Sequence, residues 1–339
     1  MERDGGDHVK EGDADEIIVE ALDLKTHFSA NSGLLQAIFS ANKQAVRALD
    51  GVNISIRERS VTGLVGESGC GKSTFGMTLV RMHEPTSGEI KFAGKPVTHI
   101  TGAELKNYRG RAQIIFQDPY SSLNPRLTVG QLVEEPLLIH KIGDDAERAE
   151  KIARALGHVR LPAQEYLHRY PSDLSGGQRQ RVAIARALVM EPSFIVADEP
   201  VSMLDVSVQA GVLELLETLS RQLGLAVLYI SHDIATVGYI CDRVGVMYLG
   251  KVVEEGPTLS VLNEPLHPYS ERLLAAIPKV DTNATRNRVE MSGEVPSPLN
   301  VPPGCRFSTR CPHATDLCRT KEPELVEVKP DHSVRCHLY

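Results

Sequence analysis

Eight consecutive residues, Gly66-Glu67-Ser68-Gly69-Cys70-Gly71-Lys72-Ser73, follow the pattern G-x-x-x-x-G-K-[ST] without a mismatch. Glycines in such a loop let successive backbone N–H groups point inward around phosphate oxygens, a conformation that side chains obstruct. Lys72 would neutralise the β- and γ-phosphates, and Ser73, followed by Thr74, would bring a hydroxyl to Mg²⁺. A second chemical group closes an apolar run, Phe194-Ile195-Val196-Ala197-Asp198-Glu199. Asp198 would join the Mg²⁺ shell there, and Glu199 would orient and polarise an attacking water, as phosphoryl transfer requires. A third segment, Leu174-Ser175-Gly176-Gly177-Gln178, stands just before a helical run. Ser175 is a natural N-cap, and the two glycines admit an anion close to the backbone. The first loop already holds one nucleotide. This second anion-facing helix start is therefore expected to serve a nucleotide held by another subunit, in a sandwich dimer.

Specific elements must position these groups. The apolar run Val61-Thr62-Gly63-Leu64-Val65 ends in the glycine-rich loop, and residues 72–82 continue at helical periodicity. Strand, loop and helix in that order form a phosphate-binding unit, with the helix aiming its positive end at the phosphates. Further short apolar runs at 112–116, 194–197 and 226–230 read as buried parallel strands. Residues 17–56 are strand-like, broken by a polar stretch at 28–45, and residues 127–188 are mostly helical. Beyond Val261 proline becomes frequent (Pro265, Pro268, Pro278, Pro296, Pro298, Pro302, Pro303) and regular structure gives way to a loop-rich tail. The expected organisation is an acidic, disordered leader over 1–16 and one α/β ATPase core over 17–260. A helical subdomain at about 118–188 and a C-terminal extension over 261–339 complete it.

The net charge of −7 gives no electrostatic reason to bind nucleic acid. No apolar run approaches the roughly 20 residues of a membrane-spanning helix, and the leader lacks the apolar centre of a signal peptide. Any membrane role is expected to pass through a partner. Of six cysteines, Cys305, Cys311, Cys318 and Cys336 crowd the end of the chain, a distribution that suggests metal binding before disulfides. Four thiolates suit either an iron–sulfur cluster or Zn²⁺, and unliganded structural thiols remain a third reading. Cys70 fills a variable slot of the phosphate loop, and Cys241 reads as packing.

An LSGGQ segment between a phosphate loop and an Asp-Glu strand resembles the signature of ABC ATPases, which implies a P-loop NTPase fold with a helical subdomain. On that resemblance Gln117, in Phe116-Gln117-Asp118-Pro119, is similar to the Q-loop glutamine that reaches Mg²⁺ and water. Ser202-Met203-Leu204-Asp205 resembles the D-loop, with Met203 a mild departure and Asp205 its acidic residue. His232, in Tyr229-Ile230-Ser231-His232-Asp233, resembles the switch histidine at the γ-phosphate. The family stacks an aromatic on adenine from a segment before the phosphate loop, which makes Phe28 the candidate here. Every catalytic position is intact, so an active site is expected.

The run Phe116-Gln117-Asp118-Pro119-Tyr120-Ser121-Ser122-Leu123-Asn124-Pro125 looks like dipeptide and oligopeptide permease ATPases, as do Tyr170-Pro171-Ser172-Asp173-Leu174, Asp198-Glu199-Pro200-Val201-Ser202 and His267-Pro268-Tyr269. Gln178-Arg179-Gln180-Arg181 and Tyr120 are closer to the F-type than to the D-type subunit. The resemblance implies ATP hydrolysis at the cytoplasmic face of the inner membrane, driving peptide import. The implied partners are a D-type ATPase, two transmembrane permease subunits and an external substrate-binding protein, without nucleic acid. Nickel or glutathione import, or a soluble non-transport ABC ATPase, are the alternatives. Tails of this kind in the family resemble [4Fe-4S]-binding regions, so the four C-terminal cysteines are expected to hold such a cluster, with Zn²⁺ as the alternative.

Overall fold

The structure, a computed structural model, describes residues 16–29, 45–276 and 296–339. The leader at 1–15, the interior of the polar stretch at 30–44, and residues 277–295, Pro278 among them, lie outside the described residues. Among the described residues, twelve strands run in chain order as β1 (Ile17–Ser29), β2 (Ala45–Arg57), β3 (Val61–Val65), β4 (Ser87–Phe92), β5 (Lys95–Pro96) and β6 (Ala112–Ile115). They continue as β7 (Phe194–Asp198), β8 (Ala226–Ser231), β9 (Arg243–Tyr248), β10 (Lys251–Pro257), β11 (Val326–Lys329) and β12 (His332–Val334). They form two sheets, one of order β2-β1-β4-β5 and one of order β11-β12-β10-β9-β3-β8-β7-β6.

The centre of the larger sheet is parallel, with β3 between β9 and β8, and β7 between β8 and β6. Its strands read as unbroken apolar runs because both faces are covered. Along β7, Phe194 and Val196 pack with the smaller sheet and with Phe75 and Leu79 of the helix Lys72–Leu79. Ile195 and Ala197 face the opposite side, where they join a core shared with helices Val129–His140, Asp145–His158 and Gly176–Leu188. Those helices lie between β6 and β7, and each starts with a reciprocal capping box: Thr128/Gln131, Asp144/Glu147 and Ser175/Gln178. The phosphate-loop helix ends at Leu79, three residues short of the sequence expectation, because Arg81 takes a left-handed φ of 58°. Among the described residues, no helix is long and apolar enough to cross a membrane.

The C-terminal extension is loop-rich, yet it is welded to the core. β12 pairs antiparallel with β10, and β11 with β12, so the last residues lengthen the ATPase sheet. A buried carboxylate fastens this seam. Glu254 is fully buried and accepts from His332 Nε2 at 2.8 Å, from the Leu266 N–H at 2.8 Å and from the His267 N–H at 2.9 Å. Removing it strands all three donors, so Glu254→Ala is expected to destabilise the fold by about 3–5 kcal/mol in urea titration. His267, also buried, caps the helix Pro268–Ala275 by accepting from the Tyr269 N–H at 3.0 Å. Burial alone lowers its pKa from 6.5 to about 3. The unfolded chain therefore binds a proton in that window that the folded chain does not, and stability falls as pH drops below 6.5. His267→Asn keeps the cap acceptor and is expected to flatten the slope by up to about 1.4 kcal/mol per pH unit, read from denaturation at pH 4 and 7.

Candidate active site

Parallel strands deliver their C-terminal ends to one edge of the sheet, and that edge carries the chemistry. Val65 pairs with Ser231 and Asp198 with Ile230, so the phosphate loop after β3, Glu199 after β7 and His232 after β8 leave the sheet side by side. The loop turns directly into the helix Lys72–Leu79. Gly71, the residue before that helix, has φ 110°, and a Cβ there would stand 2.3 Å from the Ala48 carbonyl oxygen, so no side chain fits. Lys72 is buried and folds across the loop, donating to the Gly66 carbonyl at 2.7 Å and the Glu67 carbonyl at 3.1 Å. Ser68 and Gly69 are exposed at the loop's crest, and Ser73 and Thr74 open the helix.

The acidic half meets this loop directly. Ser73 Oγ donates to Asp198 Oδ1 at 3.0 Å. Burial raises the Asp198 pKa, the neighbouring Glu199 charge adds to the rise, and the Ser73 hydroxyl and Lys72 oppose it. A bound cation would reverse that balance by favouring the carboxylate. Glu199 has φ 46°, a left-handed backbone that costs a non-glycine residue roughly 1–3 kcal/mol and occurs preferentially at functional sites. Its Oε2 receives Gln117 Nε2 at 2.9 Å and lies 3.0 Å from His232 Nδ1. Glutamate, glutamine and histidine from three separate segments thus converge on one oxygen.

The glycine-serine segment stands apart from that cluster. Ser175 Oγ accepts from the Gln178 N–H at 3.3 Å, Gln178 Oε1 accepts from the Ser175 N–H at 2.9 Å, and Gln178 Nε2 donates to the Tyr166 hydroxyl at 3.1 Å. A Cβ on Gly177 would meet Val208 at 2.3 Å, and one on Gly176 would touch Leu204. Both neighbours belong to the turn and helix that follow β7, where Asp205 is exposed at the start of helix Val206–Leu223. Phe28 is 38 % exposed at the end of β1 and meets the His83 ring edge-on at 5.2 Å. It pairs in register with Val46, two residues from the Ala48 carbonyl that abuts Gly71.

The iron–sulfur expectation is corrected. Cys305, Cys311, Cys318 and Cys336 line one cavity of about 40 Å³, with Phe307, Pro268 and Leu338 among its walls. All four are free thiols, and among the described residues no group of three or more His, Cys, Asp or Glu side chains is arranged to hold a metal ion. The thiols sit in the wall of an apolar cavity rather than in a converging donor set, and burial pushes the Cys305 thiol up to about 11 and raises Cys311 and Cys336 as well. Among the described residues nothing supports the zinc alternative either. Cys70 and Cys241 are buried thiols whose pKa values burial also raises.

Contacts that sequence reasoning missed come from the extension. The Tyr269 hydroxyl accepts from the Glu67 N–H at 2.8 Å, and Arg310 grips the Glu67 carboxylate at 2.8 and 3.0 Å. The Pro268-Tyr269 pair was legible only as a family likeness, and nothing near Arg310 in sequence points 243 residues back to the phosphate loop.

Fold and site together define an ATP-hydrolysing protein of the P-loop class with the ABC arrangement. A family model described as ABC transporter matches residues 49–202, and one described as oligopeptide/dipeptide transporter, C-terminal region, matches 253–318. The chain is 45% identical to the oligopeptide transport ATP-binding protein AppF of Bacillus subtilis (strain 168), over 96% of this chain and 98% of that one. It is also 45% identical to the dipeptide transport ATP-binding protein DppF of Escherichia coli (strain K12), over 91% and 90%. These relatives are named as ATP-binding proteins of transport, and among the described residues no metal site is found. Among solved structures, the ATP-binding cassette MJ0796, described as a dimer in a post-hydrolysis state bound to ADP and Pi, superposes with a TM-score of 0.61. That match has 29% identity and covers 71% of this chain and 99% of that one. The chain belongs to the ABC transporter ATPases, in their oligopeptide/dipeptide branch. Glu199→Gln is expected to keep Mg·ATP binding and to lower turnover by about two to four orders of magnitude, measured as phosphate release against nucleotide affinity.

Proposed function

We propose that this chain is the F-type ATPase subunit of a peptide importer, attached to the cytoplasmic face of the inner membrane. The observation that carries the reading is the pairing of two features in one chain: the Ser73–Asp198 and Gln117–Glu199–His232 constellation, and a C-terminal region matched by the oligopeptide/dipeptide family. Lys72 and the inward amides of residues 66–73, apart from the Glu67 amide that Tyr269 engages, hold the phosphates, with Thr74 continuing the helix. Ser73, Asp198 and Gln117 fit a Mg²⁺ ion: they supply hard oxygen donors at a helix start, and one of the two carboxylate oxygens of Asp198 is engaged only by a hydroxyl. The ion would neutralise charge between the β- and γ-phosphates. Glu199 takes the proton of the attacking water, Gln117 and His232 fix its carboxylate, and Phe28 stacks on adenine.

Ser175, Gly176, Gly177 and Gln178 complete the site of a neighbouring ATPase, because the partners of their helix start lie on Tyr166, Leu204 and Val208 and not on the chain's own phosphate loop. Asp205 lies beside that joint. The neighbour is a D-type ATPase. Two transmembrane permease subunits and an external peptide-binding protein complete the assembly, in keeping with the transport relatives.

Membrane extraction is expected to recover the chain with two hydrophobic subunits and a second ATP-binding chain, and peptide-loaded binding protein is expected to stimulate its ATPase. Recovery with ribosomes or DNA, or stimulation by nickel or glutathione in place of peptide, counts against this reading.

A further inference from the structure

One short turn of the extension reaches the phosphate loop from behind. Within Cys305-Arg306-Phe307-Ser308-Thr309-Arg310-Cys311, three large side chains lie on the ATPase core. Arg306 donates to the Leu249 carbonyl and pairs with Asp50, which also meets His27 on β1. Phe307 is buried among Tyr248, Tyr269 and His267, with ring centroids 5.3, 5.4 and 5.7 Å away. Arg310, with only 5% of its side chain exposed, places both guanidinium Nη atoms on the two carboxylate oxygens of Glu67. The planar fork fits a carboxylate in this two-bond geometry, which a lysine cannot reproduce.

Glu67 is the second residue of a loop whose amides must receive phosphate. A half-buried carboxylate at that place repels a polyanion, and solvent screens it weakly. Arg310 cancels the charge and draws the side chain onto the extension. Tyr269 engages the amide of the same residue, and its own helix is capped by His267 on the Glu254 anchor. The loop's first turn is thereby held at side chain and backbone by parts of the extension.

We propose that Arg310 is a positioning residue for nucleotide binding, which holds the Glu67 carboxylate away from the phosphate cradle and makes ATP affinity depend on a seated C-terminal extension. The inference rests on the nucleotide reading of the loop. It is tested with the full chain, by Mg·ATP binding and steady-state hydrolysis.

Arg310→Met is expected to raise Kd and KM for Mg·ATP roughly tenfold, with the loss falling on KM rather than kcat. Arg310→Lys, which keeps the charge without the fork, should lie between. Adding Glu67→Gln to Arg310→Met should recover most of the affinity, because no unpaired carboxylate remains beside the phosphates. A merely structural Arg310 predicts the reverse, a double variant as weak as the single one. That result, or an Arg310→Met protein with unchanged affinity, overturns the proposal. If Arg310→Met does not fold, Arg310→Lys at an unchanged Tm decides: weaker ATP binding supports the proposal, and equal binding overturns it. A parent chain that fails to bind Mg·ATP would instead sink the nucleotide reading itself.

Discussion

A loop that offers its backbone N–H groups to a ligand cannot also use them in regular secondary structure, so its shape must be imposed from outside. This constraint organises the molecule. Strand β3 and the helix Lys72–Leu79 fix the two ends of the phosphate loop, and Lys72 reaches back to tie its first two residues through their carbonyls. The Ala48 carbonyl closes the space beside Gly71, and Tyr269 takes up the Glu67 amide, which stands one residue into the loop. Each contact removes a way for an amide-lined cradle to collapse on itself. The open cradle is thus a property of its surroundings as much as of its glycines.

The same constraint explains why the groups proposed for catalysis lie where they do. A parallel sheet registers strand ends, so the order β3-β8-β7 brings residues some 130 and 160 positions downstream of the phosphate loop to its side. Ser73, at the helix start after β3, meets Asp198 because β3 and β7 share β8 as a common neighbour. The left-handed backbone at Glu199 then turns its carboxylate out of the sheet toward Gln117 and His232. Local strain is tolerated there because β7 is buried on both faces and the Glu199 N–H is bonded to the Ile230 carbonyl at 2.9 Å.

Much of this was legible in the residues. The phosphate loop, the Asp-Glu strand end and the buried parallel strands are local patterns whose chemistry and periodicity survive in one dimension. The expected strands at 112–116, 194–197 and 226–230 are present within a residue or two. What could not be read was whatever depends on distant pairing: β12 lengthening the ATPase sheet, Glu254 collecting donors from the extension, and Arg310 meeting Glu67. The cysteine error has the same origin. Spacing reports how many thiols are near one another in sequence, but ligation depends on how their donors are arranged. Four half-buried thiols around an apolar cavity satisfy the count without forming a recognisable metal site.

The position of the Leu174-to-Gln178 turn sets the remaining logic. Its helix start is fully formed within one chain, capped by Ser175 and packed by Gly177 against Val208, so it needs no partner to fold. Its side-chain partner Tyr166 and its packing neighbours Leu204 and Val208 all lie off the phosphate loop. In the assembly proposed above, such a helix start on one ATPase and the cradle of its neighbour would be complementary. In that proposal nucleotide would act as the joint, since its charge is neutralised fully when both halves close on it and only partly by either alone. An extension that sets the charge at Glu67 acts on one of those halves. The turn 305–311 stands outside the catalytic cluster and still bears on how tightly the joint can close.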